Sequence, residues 1–243
     1  MSGPPDGEEV KLNLDAECYY EDKMHMAVDS CEEEWIRLDN IKLKGYILEY
    51  AGRGKIMQEM GLAQARRPLD TKHHYFEIEI LDPGEECFIA IGLARRSYPK
   101  HRPLGLNEGS VAYHADDGYI FCGSILGIPF GPKCTKGDIM GCGILFPTDY
   151  DSEAECDLVP EDVNEPHVQE MVNNYQESDT DEEGLNKKDG EEEGRPKVKI
   201  FFTRNGTRIG ERELRIPKGG FFPTVGMFSC CEKVRVDLRP VTG

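Results

Sequence analysis

With 243 residues the chain is long enough for one large β-domain or two small ones. No apolar run approaches the roughly eighteen residues a membrane span needs. MSGPPDGEEV has neither the basic nor the apolar region of a signal peptide, and Ser2 stands where myristoylation requires glycine. The net charge of −17 belongs to one segment, since Asp149–Gly194 holds eighteen acids against two lysines and the remainder is close to neutral. No basic face for tracking phosphates is evident, so neither nucleic acid nor a membrane is an expected partner.

In chain order, residues 1–27 read as a flexible leader and residues 28–243 as one domain, interrupted by an acidic insertion over 147–196. DSCEEEWIRLDNIKLKGYILEYAGRG reads in its second half as a strand pair, with Trp35 anchoring the start of the domain. HYFEIEI alternates Phe76, Ile78 and Ile80 against Tyr75, Glu77 and Glu79. FIAIGLA and DIMGCGIL are continuous apolar runs of strand length, as expected where both faces are covered. KVKIFFTRNGTRIG alternates Val198, Ile200 and Phe202 and then turns at Asn205-Gly206, a strong hairpin signal. KVRVDLR alternates Val234, Val236 and Leu238 against its charges. Short strands with Gly and Pro between them imply an all-β fold of two packed antiparallel sheets.

The insertion carries SDTDEEG and GEEEG and too few apolar residues to offset its ordering entropy, so it is expected to be disordered. Strand-like sequence stands on both sides, which makes it a loop insertion rather than a linker. Within it Ser152, Ser178 and Thr180 each precede an acid by three residues, a pattern suited to phosphorylation by acid-directed kinases; a polyanionic spacer is the other reading.

Nine cysteines, none in C-x-x-C spacing, read as buried reduced thiols rather than metal ligands. That usage fits the cytoplasm, with the nucleus as the second compartment. Cys230-Cys231 suggests a redox pair, but adjacent residues of a strand point to opposite faces, so one buried and one exposed thiol is the expectation. Asn205-Gly206-Thr207 is formally a glycosylation sequon and is better explained as a hairpin turn.

Six phrases in order, YFEIEI, IAIGLARRSYP, GSVAYHADDG, FGPKCTKGDIMGCGI, VKIFFTRNGTRIG and FFPTVGMFSCCEKVRVDL, resemble a SPRY domain over about residues 69–239 apart from the insertion. The resemblance implies a bent antiparallel sandwich related to concanavalin A-like lectins (a jelly-roll architecture). It also implies a non-catalytic module that binds a peptide or protein through loops at one rim, as a recruiting adaptor in a larger complex. No enzyme activity, cofactor or metal is expected, and oligomeric state is open. The alternative is a calcium- or sugar-binding lectin-like sandwich. In one departure, relatives of the Ran-binding type read Pro-Gly-Trp where this chain has Arg102-Pro103-Leu104-Gly105-Leu106-Asn107-Glu108, with a leucine in the tryptophan's place and one residue extra.

Two clusters are candidate sites. His114, Asp116 and Asp117 invite a metal or acid–base reading. The sandwich reading makes SVAYH a strand and ADDG its turn, where Asp caps backbone amides and Gly takes positive φ. A divalent-cation site is the minority option. Residues 95–109 gather Arg95, Arg96, Tyr98, Lys100, His101 and Arg102, residue types common in binding hot spots, and an acidic peptide is the natural ligand. Two further readings are a solvated loop, and a dock for the chain's own acidic segment.

Overall fold

Alternation sets the strands that line the core, because successive side chains of a strand face opposite ways. In β5 (Tyr75–Asp82), Phe76, Ile78 and Ile80 are fully buried while Glu77 and Glu79 are partly exposed. β11 (Lys197–Arg204) buries Val198, Ile200 and Phe202, and β14 (Lys233–Asp237) buries Val234 and Val236. β11 turns at Asn205 and Gly206, whose φ angles of 50° and 75° match a two-residue hairpin turn, into β12 (Thr207–Arg215). The computed structural model describes residues 33–148, Tyr150 and 195–241. The leader, most of the acidic insertion and the phosphorylation candidates Ser152, Ser178 and Thr180 lie outside the described residues.

The other strands are β1 (Trp35–Asp39), β2 (Ile41–Lys44), β3 (Ile47–Tyr50), β4 (Gly61–Ala65) and β6 (Ala90–Ala94). They continue with β7 (Ser110–His114), β8 (Tyr119–Phe121), β9 (Ile128–Pro129), β10 (Ile139–Leu145) and β13 (Phe222–Met227). Two seven-stranded antiparallel sheets result, in the orders β1-β4-β13-β6-β7-β8-β9 and β12-β11-β10-β5-β14-β3-β2. Side chains of both meet in one core that includes Phe76, Ile91, Leu93, Tyr113, Phe202 and Val225. The architecture is the all-β sandwich expected from the alternation.

Chain direction sorts the connections into two rims. β5 runs antiparallel to β10 and β14, and β6 antiparallel to β13 and β7. The upper rim gathers the residues before β5, those after β6, the stems on either side of the insertion and the residues before β13. The lower rim holds the β5–β6 loop, the β7–β8 turn and the β13–β14 turn. β10 and β11 are hydrogen-bonded neighbours, with Leu145 opposite Lys199, so the two stems of the insertion stand side by side.

The expected strand pair is the β2–β3 hairpin, and Trp35, 5% exposed, anchors the start of the described strands. WIRLD adds a strand, β1, paired with β4 in the opposite sheet. Two expectations are corrected. Among the described cysteines only Cys134 and Cys142 are buried, while Cys87, Cys122 and Cys230 are partly exposed and Cys231 is exposed. Cys230 and Cys231 lie in the turn before β14 rather than in a strand. Strand alternation therefore does not separate their side chains.

Candidate functional site

β6 is buried along its whole length, and the 95–109 segment is the reason. Ile91 and Leu93 point into the core, whereas Ala90 and Ala94 point to the outer face of the sheet. There they meet Tyr98 and Leu104 of the segment, with Leu62 and Ala112 from neighbouring strands, in a second buried cluster. Alanines and glycines on that face let the loop lie close: a Cβ placed on Gly226 would stand 3.4 Å from the Leu104 Cβ. The segment leaves and rejoins the upper rim, where the Arg95 amide donates to the Gly109 carbonyl at 2.8 Å. Its middle reaches the lower end of the strand, where Gly226 pairs with Ala90. It is a drape over the outer face of the sheet that leaves and rejoins one rim.

Polar bonds within the segment fix its path. The Tyr98 hydroxyl donates to the Pro103 carbonyl at 2.6 Å and accepts from the Asn107 amide at 3.3 Å. The Arg37 guanidinium donates to the Tyr98 carbonyl, and the buried Gln64 side chain donates to the Arg95 carbonyl at 3.0 Å. Tyr98 is 2% exposed, and burial holds its phenol above the ordinary range. Tyr98, expected among the contact residues, lies beneath the loop as its support.

Arg95, Arg96, Lys100, His101 and Arg102 are exposed. Among the described residues, Arg95, Arg96, Lys100 and Arg102 pair with no carboxylate. An array of cations with no carboxylate partner among the described residues presents a positive field to an anionic ligand. Sequence reading missed two neighbouring features of the upper rim. Arg66, Arg67, Lys72 and Arg239 line a cleft of about 760 Å³ whose walls also carry Glu33, Glu34 and Asp70. Arg195, on the insertion's second stem, shares a cleft of about 250 Å³ with Glu108 and Gly109, where the draped segment ends. Only the Arg66-Arg67-Pro68 run was visible in the sequence; Arg195 reaches this place through the sheet order alone.

The His114 cluster does not converge. The imidazole Nε2 donates to the Leu104 carbonyl at 2.8 Å, and the ring packs on Phe121 with centroids 4.4 Å apart. A carbonyl only accepts, so the proton is on Nε2. Asp117 accepts the Tyr119 amide at 2.8 Å, and Gly118 has φ of 77°, as the turn requires. Asp116 has one buried oxygen without a described donor, and burial followed by the charge of Asp117 raises its carboxyl. Among the described residues, no three metal-ligating side chains gather at a common point.

The family model described as SPRY domain matches residues 73–150. A crystal structure of a human SPRY domain superposes with a TM-score of 0.60 at 31% identity, covering 84% of this chain and 98% of that one. The chain belongs to the SPRY family. This SPRY chain is also 54% identical, over 98% of its length, to SPRY domain-containing protein 3 of Homo sapiens, and spans 57% of that protein. A Ran-binding protein M homolog of Arabidopsis thaliana is 29% identical over 96% of this chain and 41% of its own length. The chain spans a little over half the length of SPRY domain-containing protein 3 from Homo sapiens and from Pongo abelii. No helix among the described residues is long and apolar enough to cross a membrane.

Proposed function

We propose that this SPRY domain is a non-catalytic recognition module that binds an acidic peptide or an acidic face of a protein along the 95–109 drape. SPRY domains generally mediate protein–protein contact, which supports the class of function. The observation that carries the ligand chemistry is the set of four exposed cations without a described carboxylate partner, displayed on a segment held from below by Tyr98 and Leu104. A pre-formed loop loses little entropy on binding, so its charges act with less offset than those of a free tail. Such a module recruits its ligand into a larger complex, acting as an adaptor inside the cell.

The test is binding of an array of acidic peptides to the full chain and to a variant carrying Arg95→Glu, Arg96→Glu and Arg102→Glu. Loss of affinity of about tenfold or more, with binding by the unaltered chain weakening as salt rises, is the expected result. Equal capture by the two proteins would remove the drape from the function.

A further inference from the structure

The β13–β14 turn holds two thiols that the SPRY reading does not use. Cys230 and Cys231 place their sulfurs 3.5 Å apart. In an extended strand adjacent side chains diverge; here Cys231 takes a left-handed φ of 71°, which curls the backbone and brings both sulfurs together. The curl is clamped from below. The Glu232 carboxylate accepts the amides of Phe228 and Ser229 at 2.8 and 2.9 Å. The Ser229 hydroxyl accepts the amides of Glu85 and Glu86 at 3.1 Å each. Gly84 packs so closely on the Cys230 carbonyl that a Cβ there would lie 2.4 Å from its oxygen. The pair is therefore held in place by the neighbouring loop, with Cys231 exposed to solvent and Cys230 partly so.

We propose that Cys230 and Cys231 form an oxidisable vicinal dithiol that closes reversibly to a disulfide, with a hydroperoxide as oxidant. The exposed Cys231 sulfur, as its thiolate, attacks one peroxide oxygen and the O–O bond breaks. This gives a sulfenic acid at Cys231 and, with one proton taken up, water when the oxidant is hydrogen peroxide. The Cys230 sulfur then attacks the Cys231 sulfur; the S–S bond forms, the S–O bond breaks, and hydroxide leaves as water with the Cys230 proton. Two thiols lose two protons and two electrons, and hydrogen peroxide takes them up to become two waters.

Reversibility follows from backbone geometry. Consecutive Cα atoms across a trans peptide stand about 3.8 Å apart, below the usual range of about 4.4–6.8 Å for bridged cysteines, so the closed ring is strained and easily reduced. Cys230 beside it holds the Cys231 thiol above its ordinary range, with Lys233 pulling the other way. Oxidation is accordingly expected to respond to a peroxide pulse rather than to resting conditions.

The full chain, native and in urea, is treated with hydrogen peroxide, blocked with a maleimide and cut with trypsin. Residues 219–233 form one peptide that contains no other cysteine. The expected product is this peptide, unlabelled and lighter by two hydrogens, returning to the doubly labelled form after dithiothreitol, and forming several-fold faster in the native protein. In Cys230→Ser, which leaves the clamp intact, the first step stops at a Cys231 sulfenic acid trapped by dimedone. Full double labelling after peroxide, a dimedone adduct in place of the disulfide in the unaltered chain, or equal rates in urea would each overturn the proposal.

Discussion

The Nε2–H of His114 donates to the Leu104 carbonyl at 2.8 Å, across the outer face of the sheet. The histidine that looked like the first ligand of a metal site instead tethers the lower end of the draped 95–109 segment. His114→Ala removes this bond and the packing on Phe121, with an expected cost of about 1–2 kcal/mol in urea unfolding. Amide exchange around Leu104–Asn107 should accelerate while the strands stay protected. Calcium should leave both unfolding midpoints where they are; a calcium-dependent rise lost in the variant would restore the metal reading.

Tyr98 allows support and contact to be told apart. Tyr98→Phe keeps the buried ring and removes the hydroxyl that holds Pro103 and Asn107. About 1–2 kcal/mol of stability should be lost, and acidic-peptide binding should weaken although the side chain touches no ligand. Arg95→Glu should do the reverse, weakening binding with a stability change within about 0.5 kcal/mol, as exposed sites usually show. Denaturation and peptide titration on the two variants check this; equal loss of stability in both would contradict the division of roles.

The sandwich was readable from residues because its inner strands obey simple rules. β5, β11 and β14 alternate cleanly, and the β11–β12 turn carries Asn-Gly. β4 was not readable: GLAQA has no β-branched residue and no alternation, and all five residues are buried because the drape covers its second face. The continuous apolar run of β6 was correctly read as covered on both sides, but what covers it is a loop of the same chain. Tyr98 was misassigned for a related reason. Composition marks a loop tyrosine as a contact residue, and only its bond to a carbonyl five residues onward reveals that it faces inward. The Cys230-Cys231 pair was assigned by a strand rule that a left-handed residue suspends.

Asn205 does more than permit a turn. Its backbone takes φ of 50°, while its side-chain oxygen accepts the Ile139 amide at 2.8 Å and its side-chain nitrogen donates to Asp138 at 2.9 Å. Asp138 also accepts from Thr135 and Arg204, so one buried carboxylate joins the start of β10 to the hairpin. If positive φ were the whole requirement, Asn205→Gly would be neutral or stabilising. The tether predicts a loss of about 1–3 kcal/mol instead, with Asp138→Asn weaker still at neutral pH because the Arg204 pair goes too. Urea unfolding of the two single variants decides between these outcomes.

Glu232 should give the fold an unusual slope with pH. It is fully buried; one oxygen takes the two turn amides, and the other has no described donor. Burial, opposed by the turn amides and assisted by the charge of Asp116, pushes its carboxyl from an ordinary 4.5 up to about 7. In the unfolded chain it ionises near 4.5 and in the folded chain near 7, so between these values the folded state holds the extra proton. Stability from this group therefore falls as pH rises through that window and is level above it. Asp116, also raised, adds a slope of the same sign. Asp70 and Asp138, both lowered, contribute stability that is lost only as pH falls below the ordinary carboxylate range. Glu232→Gln keeps an oxygen for both amides and removes the ionisation, so at pH 8 it should be more stable than the unaltered chain by about 1–3 kcal/mol. Urea unfolding at pH 5 and pH 8 measures the effect; an undiminished loss of stability in the variant would show that another group carries the slope.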